Sequence, residues 1–268
     1  MSILISAGEL AADLDGVTIL DVRYKLGGPP GATEFAAGHI PRAMYVDLDR
    51  ELASPPGAGG RHPLPDPATF VRAMQRAGVS NARPVVVYDD WGSRAAVRAW
   101  WLLRHYGHAD VRVLDGGWAA WQRAELAAST ETTVAAPGTF EGAPGSMAVV
   151  EAAGVPGVGV LIDARAPERF RGEVEPVDAV AGRIPGAVNV PTTANLDADG
   201  RFRPAAELAA EYARAGAVPG ADVAVYCGSG VTAAHDIFAL ELAGVRAKLY
   251  PGSWSGWITD RSRPTERG

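Results

Sequence analysis

Val223-Ala-Val-Tyr-Cys227-Gly-Ser-Gly-Val-Thr-Ala233 is the stretch from which the rest of the chain can be read. Val223 to Tyr226 form an apolar, β-branched run that predicts a short buried strand. Val231, Ile237, Phe238 and Leu242 follow at a spacing that predicts a helix from Val231 through Ala243. Cys227, the only cysteine of the chain, therefore falls at a strand-to-helix turn. Gly228 and Gly230 let the backbone curl with its N–H groups inward, which makes an anion-binding concavity at a helix N-terminus. The partial positive charge of that helix end favours thiolate over thiol and gives Cys227 the surroundings of a nucleophile. A lone cysteine is usually a small buried hydrophobe without chemistry. Here the flanking Gly-Ser-Gly and the strand-loop-helix order argue the other way.

The composition narrows the class of protein. At 268 residues the chain is long enough for two domains, each burying a core of its own. Hydrophobic residues make up 47% and charged residues 21%, a globular mixture, and the net charge of -6 with a pI near 5.4 gives no sign of a nucleic-acid or anionic-membrane partner. One cysteine allows no intramolecular disulfide, and no Cys-x-x-Cys or clustered His/Cys spacing points to a metal. No cofactor is expected. There is no G-x-x-x-x-G-K-[ST], and the glycine-rich segments near Gly27 and Gly57 lack the strand-turn-helix setting of dinucleotide binding. The opening residues, Met1 to Glu9, carry no basic stretch ahead of an apolar core, and no apolar run reaches membrane-spanning length, so a cytoplasmic, reducing location is the expectation.

The pattern around Cys227 occurs twice. Leu161-Ile-Asp-Ala-Arg165 echoes Leu20-Asp-Val-Arg23, with Asp163 standing 142 positions after Asp21. Gly182-Arg-Ile-Pro-Gly-Ala187 follows Gly38-His-Ile-Pro-Arg-Ala43 by 144, Val223-Ala-Val-Tyr226 follows Val85-Val-Val-Tyr88 by 138, and Trp254-x-x-Trp257 follows Trp118-x-x-Trp121 by 136. Four matches in one order at nearly one offset mean a duplicated domain. Residues 1–124 are expected to form the first copy and 147–268 the second, with 125–146, rich in Ala, Thr, Gly, Pro and Glu, as a linker. Each half alternates short buried strands with helices, so the fold class is α/β, each domain a small parallel sheet with helices on both faces. Sites in such sheets lie beyond the carboxyl ends of the strands. The first-half position matching Cys227 is Asp89 or Asp90, so only the second half carries a nucleophile.

These residues resemble the tandem rhodanese family, the thiosulfate and 3-mercaptopyruvate sulfurtransferases, over nearly the whole chain. The Asp-x-Arg strand end, the Gly-His/Arg-Ile-Pro element and the Gly-x-Trp-x-x-Trp close carry the likeness, and Cys227-Gly-Ser-Gly-Val-Thr232 is similar to the mercaptopyruvate branch. The resemblance implies a ping-pong reaction in which Cys227 takes sulfur from a small anionic donor as a persulfide. The sulfur then passes to a thiol or cyanide, or to a thioredoxin-like protein. It further implies a relay of Ser229, His62 and Asp49, a donor-binding arginine at Arg169, and a loop of Gly228, Gly230, Val231 and Thr232 around the transferred sulfur. The family places a second arginine several residues later. Glu173-Val-Glu-Pro-Val-Asp178 has none, and Arg171, Arg183 and Arg61 remain as substitutes.

Two other functions compete. A phosphatase of the Cys-x5-Arg kind needs an arginine six residues after its cysteine, where this chain has Ala233. A non-enzymatic binding or regulatory module would suit a chain that had lost the cysteine from both halves. His235 sits too far along its helix to act as a base for Cys227, and His105 and His108 are explained by a helix C-terminus. The repeated tryptophans, together with Trp100 and Trp101, read as packing residues, one of the adjacent pair more exposed than the other.

Overall fold

The computed structural model describes residues 2–132 and 134–268. Met1, which opens the segment read for a leader, and Thr133, within the expected linker, lie outside the described residues. The chain forms two compact units. One runs to Ser54 and takes in Pro65–Met147 and Ala198–Arg201; the other consists of Pro55–Leu64, Ala148–Asp197 and Phe202–Gly268. The segment carrying Arg61 and His62 thus folds into the unit that contains Cys227.

The first unit has five parallel strands: β1 (Leu4–Ile5), β2 (Thr18–Asp21), β3 (Met44–Tyr45), β4 (Val85–Tyr88) and β5 (Val111–Leu114), in the order β1-β5-β4-β2-β3. The second has four: β6 (Val160–Asp163), β7 (Val188–Asn189), β8 (Val223–Tyr226) and β9 (Ala247–Leu249), in the order β7-β6-β8-β9. The central strands β2, β4 and β8 are buried along their whole length, as strands covered on both faces are. The expected parallel α/β architecture is present in each unit.

The repeated motifs are one buried device used twice. At the end of β6, Arg165 donates from Nε and Nη2 to the Asp163 carboxylate, at 2.7 Å for the closest pair, and reaches on to the Gly182 carbonyl at 2.6 Å. The Tyr226 hydroxyl accepts the Ile184 N–H at 3.1 Å. In the first unit Arg23 grips Asp21 and the Gly38 carbonyl in the same way, and Tyr88 accepts the Ile40 N–H. Asp-x-Arg, Gly-x-Ile and the strand-end tyrosine therefore persist together because each leaves a buried polar group that only the others satisfy. Burial opposes the charge on Arg165, yet the Asp163 carboxylate more than compensates and holds the guanidinium above its ordinary range. The tryptophans pack around this device: Arg165 stands over Trp254 at 4.9 Å and Arg23 over Trp118 at 5.1 Å.

The expectation for the adjacent tryptophans needs correction. Trp100 and Trp101 are both fully buried, because the helix Arg94–His105 is covered on nearly every face rather than along one stripe. The helix Gly31–Ala37 lies between β2 and β3, and the helix Gly117–Arg123 follows β5. Ser6 and Glu9 form a capping box at the start of the helix Ala7–Ala12. Within 125–146 the described residues carry no helix or strand. They are nevertheless pinned, with Gly138 N–H on the Gln75 carbonyl and Phe140 N–H on the Val79 carbonyl.

Replacing Arg165 by Met should cost about 3–5 kcal/mol of stability, because it strands the Asp163 carboxylate in the core. Chemical denaturation read by tryptophan fluorescence checks this.

Candidate active site

The cysteine loop is held by the turn that follows β9. Cys227 donates its N–H to Ser253 Oγ at 3.1 Å, its carbonyl accepts Trp254 N–H at 2.9 Å, and the Gly228 carbonyl accepts Ser255 N–H at 2.9 Å. Gly230 has a left-handed backbone (φ 82°), which aims its own N–H at Cys227 Sγ, 3.1 Å away. The sulfur is almost fully buried, yet it faces a backbone donor and a hydroxyl oxygen at 4.0 Å rather than hydrocarbon alone. Val231 is buried, and Thr232 precedes the helix Ala233–Leu242. That helix begins later than Val231 because its entry is tightened by i to i+3 bonds, Ala234 N–H on Val231 and His235 N–H on Thr232.

Ser253 was not legible as a site residue. It is buried with φ 51°, a conformation costly for any residue with a Cβ, and its hydroxyl donates to the Tyr250 carbonyl at 3.0 Å while its oxygen holds the Cys227 amide. The signal lay in the repeat. The first half has Gly117, also left-handed, where the second has Ser253.

The segment Pro55–Leu64 brings two more side chains to this loop. His62 Nδ1 lies 2.8 Å from Ser229 Oγ, and Arg61 N–H donates to Ser255 Oγ at 3.0 Å. Arg169 faces the loop from the helix Pro167–Phe170: a methyl added at Gly228 would stand 3.6 and 3.7 Å from its two Nη atoms. Its guanidinium is ion-paired with Glu175 at 2.7 Å and Asp178 at 3.1 Å. The second unit therefore gathers Cys227, Gly228, Ser229, Gly230, His62 and Arg169. Asp49 belongs to the first unit, on the helix Leu48–Glu51, where its amide donates to Asp47 Oδ1.

His235 takes no part in this cluster. It is buried beside Phe202, with Nδ1 3.2 Å from Asn195, in a network that also holds Asp236 and Tyr212. His105 is stacked on Trp101 and bonded to the Met147 carbonyl. Among the described residues no group of His, Cys, Asp or Glu side chains has a metal-holding arrangement.

In the first unit the same loop follows β4, and the residue in place of the cysteine is Asp89. Its carboxylate accepts four backbone N–H groups, from Trp91, Ser93, Ala95 and Ala96, at 2.7–2.8 Å. Burial still raises its pKa above the ordinary carboxylate value, against the pull of those amides. This loop is an anion cradle occupied by the protein's own carboxylate.

Both halves match the rhodanese-like domain, over residues 6–124 and 150–260. The chain is 46% identical to a Mycobacterium tuberculosis protein provisionally named thiosulfate sulfurtransferase SseB, an alignment covering 99% of this chain and 97% of that one. It is equally 46% identical to a Pseudomonas aeruginosa protein named a probable 3-mercaptopyruvate sulfurtransferase, over 99% and 98%. Among solved structures it superposes on the 3-mercaptopyruvate sulfurtransferase SseA of Escherichia coli with a TM-score of 0.83 at 36% identity, over 95% of this chain and all of that one. The chain belongs to the rhodanese family and carries the domain twice.

The two loop glycines should respond differently to a methyl group. At Gly230 the new Cβ would meet the Pro251 carbonyl at 2.6 Å in a left-handed backbone, whereas at Gly228 it meets only the far ends of arginine side chains. Gly230→Ala should destabilise by more than about 2 kcal/mol and Gly228→Ala by less than about 1 kcal/mol, as read by differential scanning calorimetry.

Proposed function

We propose that this protein is a sulfurtransferase that moves a sulfane sulfur from 3-mercaptopyruvate or thiosulfate to a thiol or cyanide through a persulfide on Cys227. The observation that carries the reading is a cysteine sulfur receiving the Gly230 N–H inside a strand-to-helix loop whose first-unit counterpart already binds an anion. Residues 1–124 and 147–268 act as the two domains, with 125–146 between them, and the catalytic domain is the second.

The Cys227 thiolate attacks the donor sulfur. With 3-mercaptopyruvate the carbon–sulfur bond breaks, its electron pair leaves as the enolate of pyruvate, and the donor's thiol proton is returned to that enolate. With thiosulfate the sulfur–sulfur bond breaks and sulfite leaves with the pair. The loop of Gly228, Gly230, Val231 and Thr232 places backbone dipoles around the terminal sulfur, where the negative charge of the persulfide resides. An acceptor thiolate or cyanide then attacks that sulfur, and the electron pair returns to Cys227. Ser229 and His62 move the proton, supported by their 2.8 Å contact, with Asp49 as the third member of the relay, and Arg169 holds the donor's anionic end. A thioredoxin-like protein is a suitable thiol acceptor. Among the described residues no helix is long and apolar enough to cross a membrane, and the free thiol at Cys227 suits the reducing cytoplasm.

Thiocyanate formation from cyanide tests this reading. Cys227→Ser should reduce it to the uncatalysed background with either donor. His62→Gln should lower kcat with 3-mercaptopyruvate by about 100-fold and affect thiosulfate far less, because an enolate needs a proton and sulfite does not. Equal losses on both donors would remove His62 from proton transfer.

A further inference from the structure

A cavity of about 290 Å3 lies within the second unit, where the segment Pro55–Leu64 meets the turn after β9. That volume is at the small end of ligand pockets, which run from about 300 to 1,000 Å3, and it suits a molecule of amino-acid size. We propose that the cavity binds a free α-amino acid with a short apolar side chain, and that the bound molecule opposes opening of the Cys227 loop.

The chemistry of the lining carries the ligand class. Tyr250 lines the cavity and is 2% exposed; its ring lies edge-on to Trp257 and its carbonyl accepts the Ser253 hydroxyl, but its own hydroxyl has no hydrogen-bond partner among the described residues. A buried phenol normally finds one. Burial, opposed by Arg263 and helped by the Glu151 carboxylate, pushes this phenol up to about 12, so it keeps its proton and is a donor. Arg263 spends Nη1 on the Gly256 and Trp257 carbonyls and turns Nε to Asp260, 3.5 Å away, which leaves Nη2 to a ligand. A hydroxyl donor and a guanidinium take a carboxylate, and Glu151, exposed at the rim, takes an ammonium. Leu64, Ala152 and Pro251 supply apolar wall for a side chain. A simple acid or a simple amine satisfies one sign of charge; a zwitterion satisfies both.

The walls of the cavity are also the supports of the cysteine loop. On one side are Pro251 and Gly252: the Pro251 carbonyl would stand 2.6 Å from a methyl at Gly230, and Gly252 precedes Ser253, which receives the Cys227 N–H. On the other side Pro63 and Leu64 follow His62, and a methyl at Gly60 of the same segment would stand 2.7 Å from the Gly252 carbonyl. A ligand that touches both walls binds only while they are closed. Cys227 is 1% exposed, so a reagent reaches its sulfur when the walls part, and the ligand must leave first. The site stands whether or not Cys227 transfers sulfur.

Isothermal titration calorimetry of the full-length protein with L-alanine, L-valine and L-leucine, together with the rate at which iodoacetamide alkylates Cys227, tests the site. L-valine is expected to bind, and 3-methylbutanoate, which lacks its ammonium, and isobutylamine, which lacks its carboxylate, to bind at least about tenfold more weakly. At ten times its Kd, L-valine should slow alkylation about tenfold. Tyr250→Phe removes a hydroxyl that bonds nothing in the free protein, so the unliganded Tm should not fall, while L-valine affinity drops about tenfold. Glu151→Gln should weaken L-valine and spare 3-methylbutanoate. No heat and no protection with any of the three amino acids overturns the proposal, as does wild-type affinity for L-valine in both variants. Binding that leaves the alkylation rate unchanged overturns the coupling to Cys227.

Discussion

Each half of this chain places one side chain in the loop between a buried strand and a buried helix, and backbone N–H groups do the holding. In the first half the group is the Asp89 carboxylate with four amides on it. In the second it is the sulfur of Cys227 with the Gly230 amide on it. Amide dipoles fixed by a folded loop need no reorganisation when charge arrives, and in a water-poor site they act at low effective dielectric. One loop architecture thus holds a carboxylate in one half and a cysteine sulfur in the other.

What keeps that loop in place is not local. Its carbonyls are tied to the turn after β9, and its strand is flanked by β6, whose end is locked by the Arg165–Asp163 pair. A buried ion pair is weak evidence for stability in itself, because desolvation offsets most of the attraction. Its value here is geometric. The guanidinium reaches two chain segments and an aromatic face at once, and so sets where Gly182, Trp254 and the strand end lie relative to one another.

Much of this was legible in the amino-acid sequence, because duplication allows each half to be read against the other. The parallel strands, the strand-loop-helix setting of Cys227 and the packing role of the tryptophans all followed from matched positions. The helix Gly31–Ala37 was not visible because it buries no residue and so writes no apolar stripe. Strand β1, two residues long, is too short to show a period. Ser253 is marked in the sequence only by standing where the repeat has glycine. The acidic run Glu173 to Asp178 read as the loss of a cation; in the structure two of its carboxylates engage the site arginines. Arg61 lies far from Arg169 in sequence, and only the folding of Pro55–Leu64 into the second unit joins them.

The account turns on Cys227 receiving and handing on a single sulfur atom. Peptide mapping by mass spectrometry, after brief treatment with 3-mercaptopyruvate or thiosulfate and again after cyanide, measures this directly. The expected result is a gain of one sulfur on the peptide containing Cys227 and its disappearance with cyanide. An unmodified Cys227 after both donors, or an added sulfur that cyanide fails to remove, would contradict it.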